Sequence, residues 1–222
     1  MIGKTTASAL SMKSLQQSPR LQERRGTHRI HTVCRFARVT VGDDTGLWRA
    51  CNISDRGMMF RSRSRATPGQ RLSIALCDGI VVEASVAWSD AEHCGVRFAE
   101  PVDAAALLQS LAAEQRSPNH RPLRLAVDGR ALAFDEAGVH PVRICNISRH
   151  GVGIAHADRL RRGTRIKLVF ENGAERRGVV RWADREQAGL FLFEPFTPDE
   201  MASARRFAWR FRTGGPGRPT GS

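Results

Sequence analysis

Apolar and polar residues alternate with a period of two along much of this chain. Leu72, Ile74 and Leu76 alternate with Arg71, Ser73 and Ala75; Val82, Ala84, Val86 and Trp88 follow on one face, then Cys94, Val96 and Phe98. Such a period predicts half-buried antiparallel strands. The rhythm returns with Ile166, Leu168 and Phe170, then Gly178, Val180 and Trp182, then Ala188, Leu190 and Leu192. Pro68–Gly69, Asp78–Gly79 and Asn172–Gly173 punctuate the strands as turns. The alternation assigns Trp88 and Trp182 to core faces, as packing residues.

Both strand groups end in a helical stretch. Asp103 is placed to cap Ala104–Gln115, and Ser117–Pro118–Asn119 breaks that run. Later, Thr197 precedes Pro198 and the run Asp199–Arg212, with acids at its start and arginines at its end, an order that suits the helix dipole.

The two groups are copies of one unit. RACNISDRGMMF at Arg49–Phe60 recurs 94 residues later as RICNISRHGVGI at Arg143–Ile154. At the same offset Gly69 pairs with Gly163, Val86–Ala87–Trp88 with Val180–Arg181–Trp182, and Gly95 with Gly189. An ungapped register held this long means one backbone kept twice. The fold class is mainly β: two tandem, small, antiparallel six-stranded barrels, each followed by a C-terminal helix. Residues 1–20 and 213–222 read as disordered by composition, 21–116 as the first domain and 119–212 as the second.

At 222 residues the chain has room for two small cores. Its apolar runs are far too short for a membrane helix, and Met1–Gln17 lacks the apolar centre of a secretory signal, so no membrane insertion and a cytoplasmic location are expected. Five cysteines without a CxxC pair argue against a disulfide framework. Cys51 and Cys145, equivalent in the two copies, read as buried small hydrophobes. Cys94 with His93 lacks two further ligands for zinc, so no metal site is expected. His28, His31, His93 and His150 read as surface residues. The formal net charge of +13 favours an anionic partner, although the arginines are dispersed.

Two elements carry the candidate chemistry. Glu23–Arg24–Arg25–Gly26–Thr27–His28–Arg29 holds an RxxxR spacing in Arg25 and Arg29, and Asn52–Ile53–Ser54–Asp55–Arg56–Gly57 is an NxSxxG string at a strand end. Taken alone, the string could be a strand-to-turn connector and the arginines a solvated arm. In this order and separation, and with Cys94–Gly95–Val96–Arg97–Phe98 on a later strand, they resemble the PilZ domain family. The likeness covers about residues 22–115, and the second copy extends it over about 119–211.

What the resemblance implies is a receptor for the bacterial second messenger cyclic di-GMP, with Arg24, Arg25, Arg29, Asn52, Ser54, Gly57 and Gly95 at the site. The chemistry agrees. A guanidinium binds phosphate oxygens or the guanine O6 and N7 bidentately and stacks on a base. Asn52 and Ser54, two apart on a strand, project from one face and offer an amide and a hydroxyl to a guanine edge. Gly57 permits a tight turn and close backbone approach. An arginine at position 24 resembles family members that bind a stacked ligand pair.

The second copy keeps Asn146, Ser148 and Gly151, but its first element reads His120–Arg121–Pro122–Leu123–Arg124. Arg121 and Arg124 have the wrong spacing, His120 lacks the arginine fork, and Pro122 stiffens the segment. A lost charge-assisted contact is worth roughly 1.5–3 kcal/mol, so this copy reads as a weak second site or a degenerate unit.

The leading expectation is a non-enzymatic sensor without cofactor, in which cyclic di-GMP binds the first barrel and shifts barrel packing or a protein partner, with Ala113–His120 as hinge. Motility, biofilm or envelope processes are the expected outputs. The rivals are a ligand-independent adaptor and, less favoured, a nucleic-acid binder, for which the tyrosine-free sequence offers few stacking platforms. No nucleophile elbow, phosphate-binding glycine loop or metal-ligand set supports an enzyme. Self-association as a homodimer stays open.

Overall fold

The computed structural model describes residues 30–61, 66–77, 79–118, 120–156 and 160–207, with side chains from residue 35 onward. The first unit runs β1 (Ile30–Val41), β2 (Asp44–Ser54), β3 (Gly57–Arg61), β4 (Arg71–Cys77), β5 (Ile80–Ser89), β6 (His93–Phe98) and α1 (Ala104–Arg116). Its strands close in the order β1-β2-β3-β6-β5-β4, each pair antiparallel. The second unit repeats this with β7 (Leu125–Asp135), β8 (Gly138–Ser148), β9 (Gly151–Ala155), β10 (Arg165–Phe170), β11 (Glu175–Ala183) and β12 (Gln187–Leu192). Closure leaves neither sheet with an open edge.

The period-two pattern fills each barrel as expected. Leu72, Ile74, Val86, Cys94, Val96 and Phe98 are buried in the first, and Ile166, Leu168, Phe170, Val180, Leu190 and Leu192 in the second. Asp103 caps α1 by accepting from the Ala106 amide. The second helix is a different matter. The expected run to Arg212 contributes one α turn, α2 (Pro198–Met201), followed by a 3-10 turn at Ala204–Arg206, and its last residues lie outside those described. Thr197 and Glu200 form a reciprocal capping box that fixes the start. Phe207 then folds against Phe170 and Phe196, with ring centroids 5.8 and 5.4 Å away, so core packing overrides helix continuation.

Three expectations need correction. Trp88 and Trp182 are 42% and 45% exposed. In β5 the pairing with β6 slips between Val86 and Trp88, and in β11 the pairing with β12 slips between Val180 and Trp182. Each bulge adds one residue and turns the tryptophan to the outer face. Cys51 and Cys145 are only half-buried, because they occupy equivalent bulges in β2 and β8. The proposed hinge Ala113–His120 is helical through Arg116, and Arg35 holds that end by donating to the Leu111 carbonyl (2.9 Å) and to Glu114 (3.1 Å).

The barrels are docked through the β1–β2 hairpin. Leu47 is buried in the second barrel's core, while its neighbour Trp48 is buried in the first. Trp48 Nε1 donates to the Ala202 carbonyl at 3.1 Å. Gly46 passes so close that a Cβ there would lie 2.0 Å from the same oxygen. Asp43 at the hairpin tip pairs with Arg205.

Candidate functional site

The site is built on the outer face of β2, β3, β6 and β5. The bulge at Cys51 sets the phase of the end of β2, so that Ile53 points into the core and Asn52 and Ser54 point out. Strand register then lays two rows across the sheet. Asn52 pairs with Met59, Met59 with Gly95, and Gly95 with Trp88. Beside it, Ser54 pairs with Gly57, Gly57 with Arg97, and Arg97 with Ser85. With strands ~4.8 Å apart, each row spans roughly 14 Å.

Within this face lies a depression of about 190 Å³ lined by Asn52, Ser54, Gly57 and Gly95, together with Arg56, Met58, Met59, Trp88 and Arg97. The four first-copy residues named from sequence in the described region therefore meet in one place. Arg24, Arg25 and Arg29 lie outside the described residues. Gly95 leaves the space the indole occupies: a Cβ there would lie 2.1 Å from Trp88 Nε1. Gly57 has a different role from the one expected. Its φ is not in the left-handed region, and a Cβ on it would meet the Val96 carbonyl at 2.2 Å, so it is the approach of β6 that requires glycine.

Trp88, Arg56 and Arg97 were not singled out for the site in the sequence. Arg97 lies inside the quoted CGVRF string, on the opposite side of the strand from the buried Val96 and Phe98, and that alternation was the available signal. The turn that carries Arg56 is anchored from behind. The Asp55 carboxylate accepts from the Ala104 amide (3.1 Å) at the start of α1, its carbonyl accepts from Val102 (2.8 Å), and the Arg56 carbonyl accepts from Phe98 (3.0 Å). Nearby, the Cys94 thiol points inward, and burial, with a smaller contribution from Asp90, pushes it up to about 11. It is a core group.

The second copy builds the same rows from different chemistry. Asn146 pairs with Gly153, Gly153 with Gly189, and Gly189 with Trp182; Ser148 pairs with Gly151, Gly151 with Phe191, and Phe191 with Val179. Phe191 thus stands in place of Arg97. The His150 ring stacks on it at 5.8 Å and 6°, and the Arg181 guanidinium sits 5.3 Å from its centroid. Ser148 is buried. Arg124 Nη1 donates to Asn146 Oδ1 at 2.6 Å, which takes up part of that amide. Arg121 is exposed. Among the described residues, no group of three or more His, Cys, Asp or Glu side chains could hold a metal ion, and no helix is long and apolar enough to cross a membrane.

Two six-stranded closed barrels, joined by a helix and each carrying an NxSxxG turn on its outer face, define a tandem β-barrel domain protein. The chain belongs to the PilZ domain family, whose model matches residues 23–114 and again 115–208. No curated protein matches it. Among solved structures it is similar to Borreliella burgdorferi PlzA in complex with c-di-GMP, at 13% identity over 82% of this chain and 94% of that one, with a TM-score of 0.40. The Bacillus subtilis inhibitor of motility MotI/DgrA matches at 13% identity over 79% and 95%, TM-score 0.32. Escherichia coli YcgR in complex with c-di-GMP matches at 10% identity over 71% and 75%, TM-score 0.28.

Proposed function

We propose that this chain is a non-enzymatic receptor for cyclic di-GMP, which binds at the first barrel. The observation that carries the reading is the joint presence of Asn52, Ser54, Gly57 and Gly95 around one outer-face depression, with Trp88 and Arg97 beside them. Asn52 and Ser54 supply hydrogen-bonding groups for a guanine edge. Trp88 supplies a stacking surface, worth about 1–3 kcal/mol per base. Arg97 and Arg56 add positive charge for a doubly anionic ligand, and Arg24, Arg25 and Arg29 complete the grip from the amino-terminal side. Arg24 favours a stacked ligand pair.

The signal passes through the packing of the two barrels to a protein partner, with motility, biofilm or envelope processes as outputs. A physical route exists: β2 carries Asn52 and Ser54 at one end and the inter-barrel residues Gly46, Leu47 and Trp48 at the other. Titration calorimetry with cyclic di-GMP tests the reading. Saturable binding at micromolar ligand, weakened tenfold or more by Arg25→Ala or Arg29→Ala, supports it. The absence of heat, with no protection of the Arg24–Arg29 bonds from trypsin, leaves a ligand-independent adaptor instead.

A further inference from the structure

The two hairpins that the repeat makes equivalent are used differently. At the offset of 94 residues, Arg38, Thr40, Thr45 and Leu47 of β1–β2 correspond to Leu132, Phe134, Val139 and Pro141 of β7–β8. The registers agree pair for pair. Arg38 lies opposite Leu47 and Thr40 opposite Thr45, as Leu132 lies opposite Pro141 and Phe134 opposite Val139. In the first copy this outer face is the docking face. Leu47 enters the second barrel's core, Arg38 Nη1 donates to the Arg124 carbonyl at 3.4 Å, and Thr40 and Thr45 line the junction.

In the second copy the corresponding face is open. Among the described residues, Leu132 is 44% and Val139 52% exposed, and Pro141 is exposed beside them. The face is also more apolar than its counterpart, since leucine, phenylalanine and valine replace an arginine and two threonines. Val169, opposite Leu132 on β10, extends it over a third strand. Three strands at ~4.8 Å spacing make it roughly 10 Å wide. Apolar side chains clustered in solvent, at a position that serves as an interface in the other copy, define an interaction surface.

Charge selects the occupant. The net charge of +13 opposes the approach of a second copy over most of the molecule. Around this face the signs balance, with Arg130, Arg143 and Lys167 against Asp128, Glu136 and Glu175. Arg143 lies 3.9 Å from Asp128 and Lys167 lies 3.4 Å from Glu175, with its Nζ 4.9 Å from the Phe134 ring centroid. An anionic partner gains little from a neutral apolar face, whereas a second copy can bury the same face against its own. Both sheets are closed, so no strand edge is open for pairing and the contact is face to face, as between packed sheets.

We propose that the outer face of β7–β8, centred on Leu132 and Val139, is the contact through which two copies of this chain form a two-fold dimer. Each copy presents the same patch to the other. Its narrow width places it among reversible rather than permanent interfaces. The dimer does not depend on cyclic di-GMP binding at the first barrel.

Sedimentation equilibrium of the full chain without ligand, from about 1 to 300 μM, tests this. A monomer–dimer equilibrium with a micromolar Kd is expected. Leu132→Glu with Val139→Glu sets like charges against each other across the contact and should raise Kd tenfold or more. Both positions are exposed, so far-UV circular dichroism should not change. Should the double variant lose its fold, Val139→Lys alone is read in the same way. Val81→Glu, at a valine of the first barrel that is 59% exposed, should leave Kd unchanged. A chain that stays monomeric throughout overturns the proposal and leaves the face to another protein. A dimer that persists unchanged in the folded charge variants, or that Val81→Glu weakens equally, overturns it as well.

Discussion

The indole of Trp88 lies over Gly95 so closely that a single added methyl on the glycine would sit 2.1 Å from Nε1. The two residues are register partners on β5 and β6, and each needs the other to be what it is. Gly95→Ala should displace the indole and weaken cyclic di-GMP binding by tenfold or more while the barrel stays folded. Trp88→Ala should cost the stacking contribution of about 1–3 kcal/mol. Calorimetry on both variants checks this; Trp88→Ala binding as tightly as the parent would remove the indole from the site.

Leu47 predicts a linked loss in both barrels. Truncating a leucine that is 1% exposed costs about 2–5 kcal/mol, and here the void opens in the second barrel although the residue belongs to the first. Leu47→Ala should lower the urea midpoint of unfolding for probes in either barrel. Trp48→Phe removes the bond to the Ala202 carbonyl and part of a buried ring together, and should cost about 1–3 kcal/mol.

Acid should weaken both barrels in the same way. The Asp90 carboxylate is held below its ordinary value by the Glu92 and His93 amides, and Asp184 by those of Gln187 and Glu186. At Glu200 burial pushes upward, but Thr197 and Arg176 together outweigh it and the carboxyl ends lower. A carboxylate depressed in the folded state stabilises fully above its unfolded value and loses that contribution as pH falls through the folded one. Stability measured by urea unfolding should therefore be flat from pH 7 to about 5 and fall below about pH 4. Asp90→Asn with Asp184→Asn should make the acid limb shallower.

Thiol chemistry should separate the described cysteines into two groups. Burial, then Glu114, raises the Cys77 thiol, and burial raises Cys94 to about 11, whereas Cys51 and Cys145 are half-exposed at their bulges. At pH 8 a thiol reagent followed by peptide mapping should label Cys51 and Cys145 well ahead of Cys77 and Cys94. Comparable rates at all four would contradict the burial of the last two.

The barrels were legible because side-chain alternation is a local signal, and two copies of it reinforce each other. The NxSxxG face was legible for the same reason, since Asn52 and Ser54 are two apart on one strand. What alternation could not show was where it slips. A bulge inserts one residue without changing composition, so Trp88 and Trp182 read as core while standing outside, and Cys51 and Cys145 read as buried. That also reverses one argument against base stacking, for Trp88, Trp182, Phe191 and Phe193 are all exposed. The meeting of Arg38 with Arg124, 86 residues apart, is set by docking of the hairpin and has no local trace in the sequence. The shortened second helix is likewise decided by Phe207 reaching Phe170 and Phe196.

Two consecutive residues, Leu47 and Trp48, serve two different interiors. Severing the chain in its linker would thus not release two finished proteins. The amino-terminal fragment would carry a bare leucine and an indole without its carbonyl, and the carboxy-terminal fragment a gap where that leucine belonged. The cooperative unit of this molecule is the whole pair, and its halves can be exchanged between relatives only if the hairpin and its socket travel together.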